Sequence, residues 1–191
     1  MTKDEAQELV MHNGFLLRDL PEKFKKDEVI VLQAIQMGDR QQTSLGDEYF
    51  INGEYEMPFF YTDETLKNNR EFVLKAVGLN GSSIKYVREE FKKDKEIVLK
   101  AVSSPQIEFA FTFADPSLQN DREVVIAAIK NDGSLWKNLP DSFKKDKEVL
   151  LLAIDDIGSD FEDVDENLRN DPDVQKALDR SISMKLGALE E

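Results

Sequence analysis

Cysteine is absent from this chain, and histidine occurs once, at position 12. Those scarcities exclude a disulfide framework, a thiolate zinc site and a cysteine nucleophile, and leave His12 no second imidazole with which to share a metal. His12 stands beside Asn13-Gly14 and reads as a turn residue between helices. Long apolar runs are missing too: Val29 to Leu32 and Val149 to Ile154 are typical, far short of the ~20 residues that cross a bilayer. The opening residues, Met1-Thr2-Lys3-Asp4-Glu5, carry acids and no apolar stretch, so no secretory signal and no membrane partner are expected, and a cytoplasmic location is. Neither Gly-Lys-Ser/Thr nor Gly-x-Ser-x-Gly occurs, so those phosphate-cradling and nucleophile motifs are out.

What the 191 residues do contain is charge and a hydrophobic pattern. Forty per cent are hydrophobic and 34% charged, the balance of a globular chain rather than a disordered one. The formal net charge is −14, a field that repels nucleic-acid phosphates and favours basic partners.

One phrase recurs. Asp94-Lys95-Glu96-Ile97-Val98-Leu99-Lys100-Ala101-Val102 returns from Asp121 to Ile129 and from Asp146 to Ile154, with earlier copies from Asn69 to Val77 and from Asp27 to Ile35. From Asn69 the anchors stand at 69, 94, 121, 146 and 171, spaced by 25, 27, 25 and 25 residues, which is a repeat period. Each phrase encodes a helix start: an Asp or Asn N-cap, then a glutamate in the first turn where the helix dipole favours it. Apolar residues three, four, seven and eight places after the cap form one helix face. A further apolar residue at place five widens that face and predicts cover on two sides. Place seven is always alanine (Ala34, Ala76, Ala101, Ala128, Ala153), which points to a close helix–helix approach.

The second half of each unit opens at Gly14, Gly81, Gly133 or Gly158, thirteen residues before the next cap. Apolar residues follow: Leu17, Leu20 and Phe24; Ile84, Val87 and Phe91; Trp136, Leu139 and Phe143; Phe161, Val164 and Leu168. The unit from Asp94 has Glu108 at the glycine place but keeps Phe111, Ala114 and Leu118. This predicts a short helix begun from a glycine turn. Pro21, Pro116 and Pro140 interrupt it at one place and start a single extra helical turn before the next cap.

The expected architecture is therefore all-α: tandem short helical repeats of about 25 residues in a solenoid-like array. One domain spans 1–186, with units near 4–26, 27–68, 69–93, 94–120, 121–145 and 146–170, a terminal helix over 171–186 and a frayed tail over 187–191. The first and last units read as degenerate caps; in the last, Gln175 and Lys176 replace apolar residues and the face slips to Val174, Ala177 and Leu178. From Asp27 to Asn69 the chain is 17 residues longer than the period, and the surplus lies within Gly38–Met57. Its Tyr-Phe-Ile-Asn-Gly-Glu-Tyr string, 49–55, resembles a small β-hairpin with a tight Asn52-Gly53 turn.

The phrase of Asp, Lys or Arg, Glu, then x-Val-x-x-Ala-Val, followed by a glycine turn and a Leu/Phe-Lys-x-Asp close, resembles the bacterial repeat known as Domain of Unknown Function 4116. The match is close over Asn69–Asp94 and Asp121–Asp171, weaker over Asp94–Asp121 and broken by the insertion. The resemblance implies an architecture and carries no activity or functional residue.

Chemistry is hard to localise. No catalytic residue, metal site or cofactor is expected. The densest acidic run, Asp155 to Asp173, includes Asp160, Glu162, Asp163, Asp165 and Glu166 against Arg169 alone. Asp163, Asp165 and Asn167 begin an EF-hand pattern, but Leu168 occupies its glycine place, so the run reads as a solvated face or as a dock for a basic partner. The pairs Lys25-Lys26, Lys92-Lys93 and Lys144-Lys145 recur at one place and read as unit-closing residues that balance nearby acids, with a basic stripe as the alternative. Aromatics give the best hint: Tyr49, Phe50, Tyr55, Phe60 and Tyr61 lie in or beside the insertion, and exposed aromatics mark interfaces. Phe59 falls on an expected core place, as does Trp136. The leading expectation is a non-enzymatic interaction module that binds protein through the repeat surface and the insertion. The alternatives are an acidic inhibitor imitating nucleic acid and, further off, a carboxylate-dependent enzyme.

Overall fold

An acid or amide side chain opens each main helix after the first, where its oxygen takes up backbone N–H groups that the first turn leaves unpaired. Asn69 Oδ1 accepts from Glu71 N at 3.0 Å and Phe72 N at 3.3 Å. Asp27, Asp94, Asp121, Asp146 and Asp171 do the same for the residues two and three ahead. The computed structural model describes residues 1–41, 50–51, 54–55, 57–104 and 110–187, with side chains for 1–38, 57–104, 110–158 and 160–187. The main helices are α1 (Lys3–His12), α3 (Glu28–Gln41), α5 (Arg70–Leu79), α7 (Lys95–Val102), α9 (Arg122–Asn131), α10 (Lys147–Ala153) and α12 (Pro172–Gly187). Single-turn helices stand between them: α2 (Glu22–Lys25), α4 (Glu64–Lys67), α6 (Glu89–Lys92), α8 (Pro116–Gln119) and α11 (Glu166–Arg169). Around Pro140 the extra turn is present as Phe143 and Lys144 N–H groups donating to Pro140 O.

The chain divides into two compact units, Met1–Asp115 and Pro116–Glu191. In the first, α1, α3, α5 and α7 pack in sequence order; in the second, α9, α10 and α12 do. The fold is all-α and made of tandem helical repeats. Two two-residue strands, β1 (Phe50–Ile51) and β2 (Glu54–Tyr55), pair antiparallel with Phe50 opposite Tyr55. A ladder this short adds no independent sheet, so a hairpin is not part of the architecture; Tyr49 and the expected Asn52-Gly53 turn lie outside the described residues.

Places three, four, seven and eight are buried in the inner helices, as in Ile97, Val98, Ala101 and Val102 of α7. Place five departs from expectation. Leu32, Leu74, Leu99, Ile126 and Leu151 are half-buried, so that side of each main helix is only partly covered. The outermost helices of the described chain separate the two halves of the face. In α1, Ala6 and Val10 at places four and eight are buried while Glu5 and Leu9 at places three and seven are exposed. In α12 the pattern reverses: Val174 is buried, and Gln175 and Asp179 are exposed. Each packs on one main helix, α3 and α10 respectively, so an inner helix spends one half-face on each neighbour. The first unit is also more regular than its sequence suggests. Thr2, one period before Asp27, caps α1 in a reciprocal box with Glu5. His12 is the last residue of α1 rather than a residue of the turn.

The glycine-led segments are 3₁₀ helices, over Gly14–Asp19, Gly81–Tyr86, Gly133–Asn138 and Gly158–Asp163. The expected glycine turn is corrected here. Among these four glycines only Gly158 has a positive φ, 54°, and the change of direction is made by extended caps (Asn13, Asn80 and Asp132) that accept from the residue two ahead. The glycine is needed for proximity. A Cβ on Gly14 would stand 2.1 Å from Ala34 O and one on Gly81 2.4 Å from Ala101 O, while one on Gly133 would be 3.1 Å from Ala153 Cα. These are the place-seven alanines of the next helix. Along the chain the core thins: Leu17, Leu20 and Phe24 are buried, whereas Phe143, Phe161 and Leu168 are half-buried.

Candidate functional site

The Pro58–Tyr61 and Gly81–Tyr86 segments each end on an extended cap, Thr62 and Val87, and both caps are buried, as is Ala114 at the same place of the next unit. The residue just before each of these is aromatic and half-buried: Tyr61, Tyr86 and Phe113. Phe60 adds a fourth ring, 43% exposed.

These rings touch across repeats. Phe60 meets Tyr61 edge-on, with centroids 5.2 Å apart and planes at 89°, and meets Tyr86 of the next unit at 5.6 Å and 69°. Lys85 Nζ continues the row, 5.4 Å from the Tyr86 centroid and 5.8 Å from that of Phe113. Lys67 stands 5.7 Å from Phe60, and Lys92 5.9 Å from Phe113. Edge-to-face rings and overlying cations are the favoured geometries of the aromatic quadrupole. The result is one aromatic and lysine ladder over three consecutive repeats, all within residues 1–115.

The lysines are held from below. Lys67 and Lys92 lie in the single-turn helices with side chains only 15% and 13% exposed, paired to Glu64 at 3.2 Å and Glu89 at 2.7 Å. Lys67 also donates to Phe60 O at 2.8 Å. The two glutamates are 70% and 81% exposed, so the outer fringe of the ladder is acidic although its body is cationic. Lys25 pairs with Glu22 in the same way, and Lys26 and Lys93 reach Asp63 and Asp115 of the following unit. The pairs Lys25-Lys26 and Lys92-Lys93 thus balance neighbouring acids, while Lys144 donates to the Lys137 carbonyl at 2.9 Å.

The other candidates fall elsewhere. Tyr49 lies outside the described residues, and Phe50 and Tyr55 are placed by backbone alone, opposite each other in β1 and β2. Phe59 is fully buried and stacks on Phe72 at 6.2 Å, so it completes the core; Trp136 is core too. In the acidic run, Asp160 is half-buried and Glu162, Asp163, Asp165 and Glu166 are exposed. Asp165 caps α11 by accepting from Asn167 N at 3.0 Å. Among the described residues no three acids or histidines converge into a metal site, and no helix is long and apolar enough to cross a membrane.

Most cap acids are paired with a cation of the preceding unit. Arg70 bonds Asp94 at 2.7 Å and Glu96 at 2.5 Å; Arg122 bonds Glu148 at 2.5 Å and Asp146 at 3.3 Å; Lys147 bonds Asp171 and Asp173. The Arg70 guanidinium holds the Asp94 carboxyl below its usual range, and Lys147 does the same for Asp171.

Tyr86 and Phe113 were missed in the sequence because neither lies near the insertion. Their signal is a column: eight residues before successive caps stand Asp19, Tyr61, Tyr86, Phe113, Asn138 and Asp163.

The family model of the Domain of unknown function (DUF4116) matches the chain four times in overlapping register, over residues 53–92, 69–119, 94–144 and 121–169. The chain belongs to this family. No curated protein and no solved structure matches it.

Proposed function

We propose that the chain is a protein-interaction module and that the aromatic and lysine ladder is its binding surface. The observation that carries this reading is the contact of Phe60 with Tyr86 across a repeat boundary. It extends half-exposed aromatic area over consecutive units, where helix repeats offer a long surface. The 38–57 insertion precedes the Pro58–Tyr61 segment in sequence, and we assign it a part in binding, with the acidic residues 160–166 as a second patch for a basic partner. A non-enzymatic role fits the use of carboxylates as helix caps and inter-repeat partners. The same use weighs against a nucleic-acid mimic, since caps such as Asp94 and Asp171 are already neutralised.

Comparative capture from source-cell extract tests the reading. Wild type, a Phe60→Ala/Tyr86→Ala variant and a chain shortened within Gly38–Met57 serve as baits, each with an unchanged thermal transition. Loss of the same proteins from both altered baits is expected. Identical captures from all three would remove the ladder and the insertion from the account.

A further inference from the structure

We propose that the Gly81–Tyr86 segment opens by itself while α5 and α7 stay folded, and that its opening takes Tyr86 off Phe60. The motion divides the ladder at its middle, whatever the ladder binds. Polar side chains are buried here where other units bury apolar ones. The buried residues of this segment are Gly81, Ser82, Ser83 and Ile84, so Ile84 is its one large apolar anchor. Gly14–Asp19 buries both Phe15 and Leu17, and Gly133–Asn138 buries both Leu135 and Trp136. One further buried residue follows each segment, Leu20, Val87 or Leu139, so Gly81–Tyr86 is held by one large side chain fewer.

Two of these polar groups are also unpaired. Asn80 and Ser83 are 0% exposed. Asn80 Oδ1 accepts from Ser82 N at 2.9 Å, but Asn80 Nδ2 and Ser83 Oγ have no hydrogen-bond partner, and neither has the buried Thr62 Oγ1 that closes the adjoining Pro58–Tyr61 segment. The counterparts of Asn80, Asn13 and Asp132, are only half-buried. A buried polar group without a partner regains its bonds with water when the segment opens, which favours opening by roughly fivefold or more for each group. The main helices do not depend on the segment in the same way. Phe72, Val73, Ala76 and Val77 of α5 and Ile97, Val98, Ala101 and Val102 of α7 are buried, and the two helices pack on each other.

Native-state hydrogen exchange of the full chain, read amide by amide by NMR, is the test. Ser83 and Val87 N–H groups donate to Asn80 O and Ile84 O, as those of Leu16 and Leu20 donate to Asn13 O and Leu17 O. Protection factors at Ser83 and Val87 are expected to lie about fivefold or more below those at Leu16 and Leu20, and below those of α5 and α7. Position alone ranks them the other way, because Gly81–Tyr86 packs on two inner helices and Gly14–Asp19 on α3 and the outermost α1. Ser83→Ala removes one unpaired hydroxyl and should raise protection at Val87 about fivefold without changing α5. Ser134→Ala, at an exposed serine, should leave Leu139 as it is. Protection at Ser83 and Val87 equal to or above that at Leu16 and Leu20 overturns the proposal, as does exchange of the segment in step with α5 and α7. A folded Ser83→Ala chain with unchanged protection at Val87 overturns it too; should that variant not fold, the wild-type ranking decides.

Discussion

At single residues the repeat depends on what is missing. Gly81 has no Cβ, and the space one would fill lies 2.4 Å from Ala101 O. Gly81→Ala must push α7 away from the 3₁₀ segment, and the expected cost is about 1–3 kcal/mol, the usual penalty for overpacking. Gly187, with nothing within 4 Å of the corresponding position, is the control, and Gly187→Ala should leave the urea midpoint nearly unchanged. The alanine column pointed to this close approach, but not to which atoms meet. The two alanines whose preceding unit lacks the glycine, Ala76 and Ala128, follow the insertion and Glu108. Alanine stands there without the glycine, and Gly158 precedes a unit with Leu178 at place seven, so the two columns could not be read as partners from the chain alone.

Charge adds a second prediction at this scale. Asp94 titrates lower in the folded chain because Arg70 bonds its charged form. Its contribution to stability is therefore present above the unfolded value, about 3.9, and is lost as pH falls through the lower folded value. Asp94→Asn keeps a capping oxygen but not the charge. Its urea midpoint should fall below wild type at neutral pH and converge with it in strong acid. A gap that persists unchanged at low pH would assign the effect to the cap and not to the ion pair.

Among elements, the order of units is written in the residue after each cap. Arg70, Arg122 and Lys147 each reach the cap and first-turn acid of the next helix. Glu28 is the exception: it pairs instead with Lys75 at 2.7 Å, and the next cap is the uncharged Asn69. An acid at Asn69 would oppose Glu28. Asn69→Asp should destabilise the wild-type chain slightly and stabilise a Glu28→Arg chain, with a coupling of about 0.5–1 kcal/mol in a double-mutant cycle read by urea unfolding. Additive effects would show that the two positions do not meet. Period, caps and the four buried places were legible because they recur in every unit. The 3₁₀ geometry was not, because its extended Asn and Asp caps have no helical periodicity to expose them. Nor was the half-exposure of place five, since apolar identity alone does not show how far a neighbouring helix covers that side.

Over the whole molecule, the candidate site was legible only in part. Phe60 and Tyr61 stood out beside the insertion, but Tyr86 and Phe113 share a surface with them through the repeat and not through nearness in sequence. The acidic run at 160–166 was conspicuous in composition, yet Glu162, Asp163, Asp165 and Glu166 are exposed and Asp165 caps α11. We propose that partners engage the ladder. Hydrogen–deuterium exchange of the full chain, free and bound to a captured partner, tests it most directly. Slowed exchange is expected in residues 58–61, 81–87 and 110–114, three segments of consecutive units that share the ring and lysine contacts. Protection confined to 158–169, with those three segments unchanged, would contradict it.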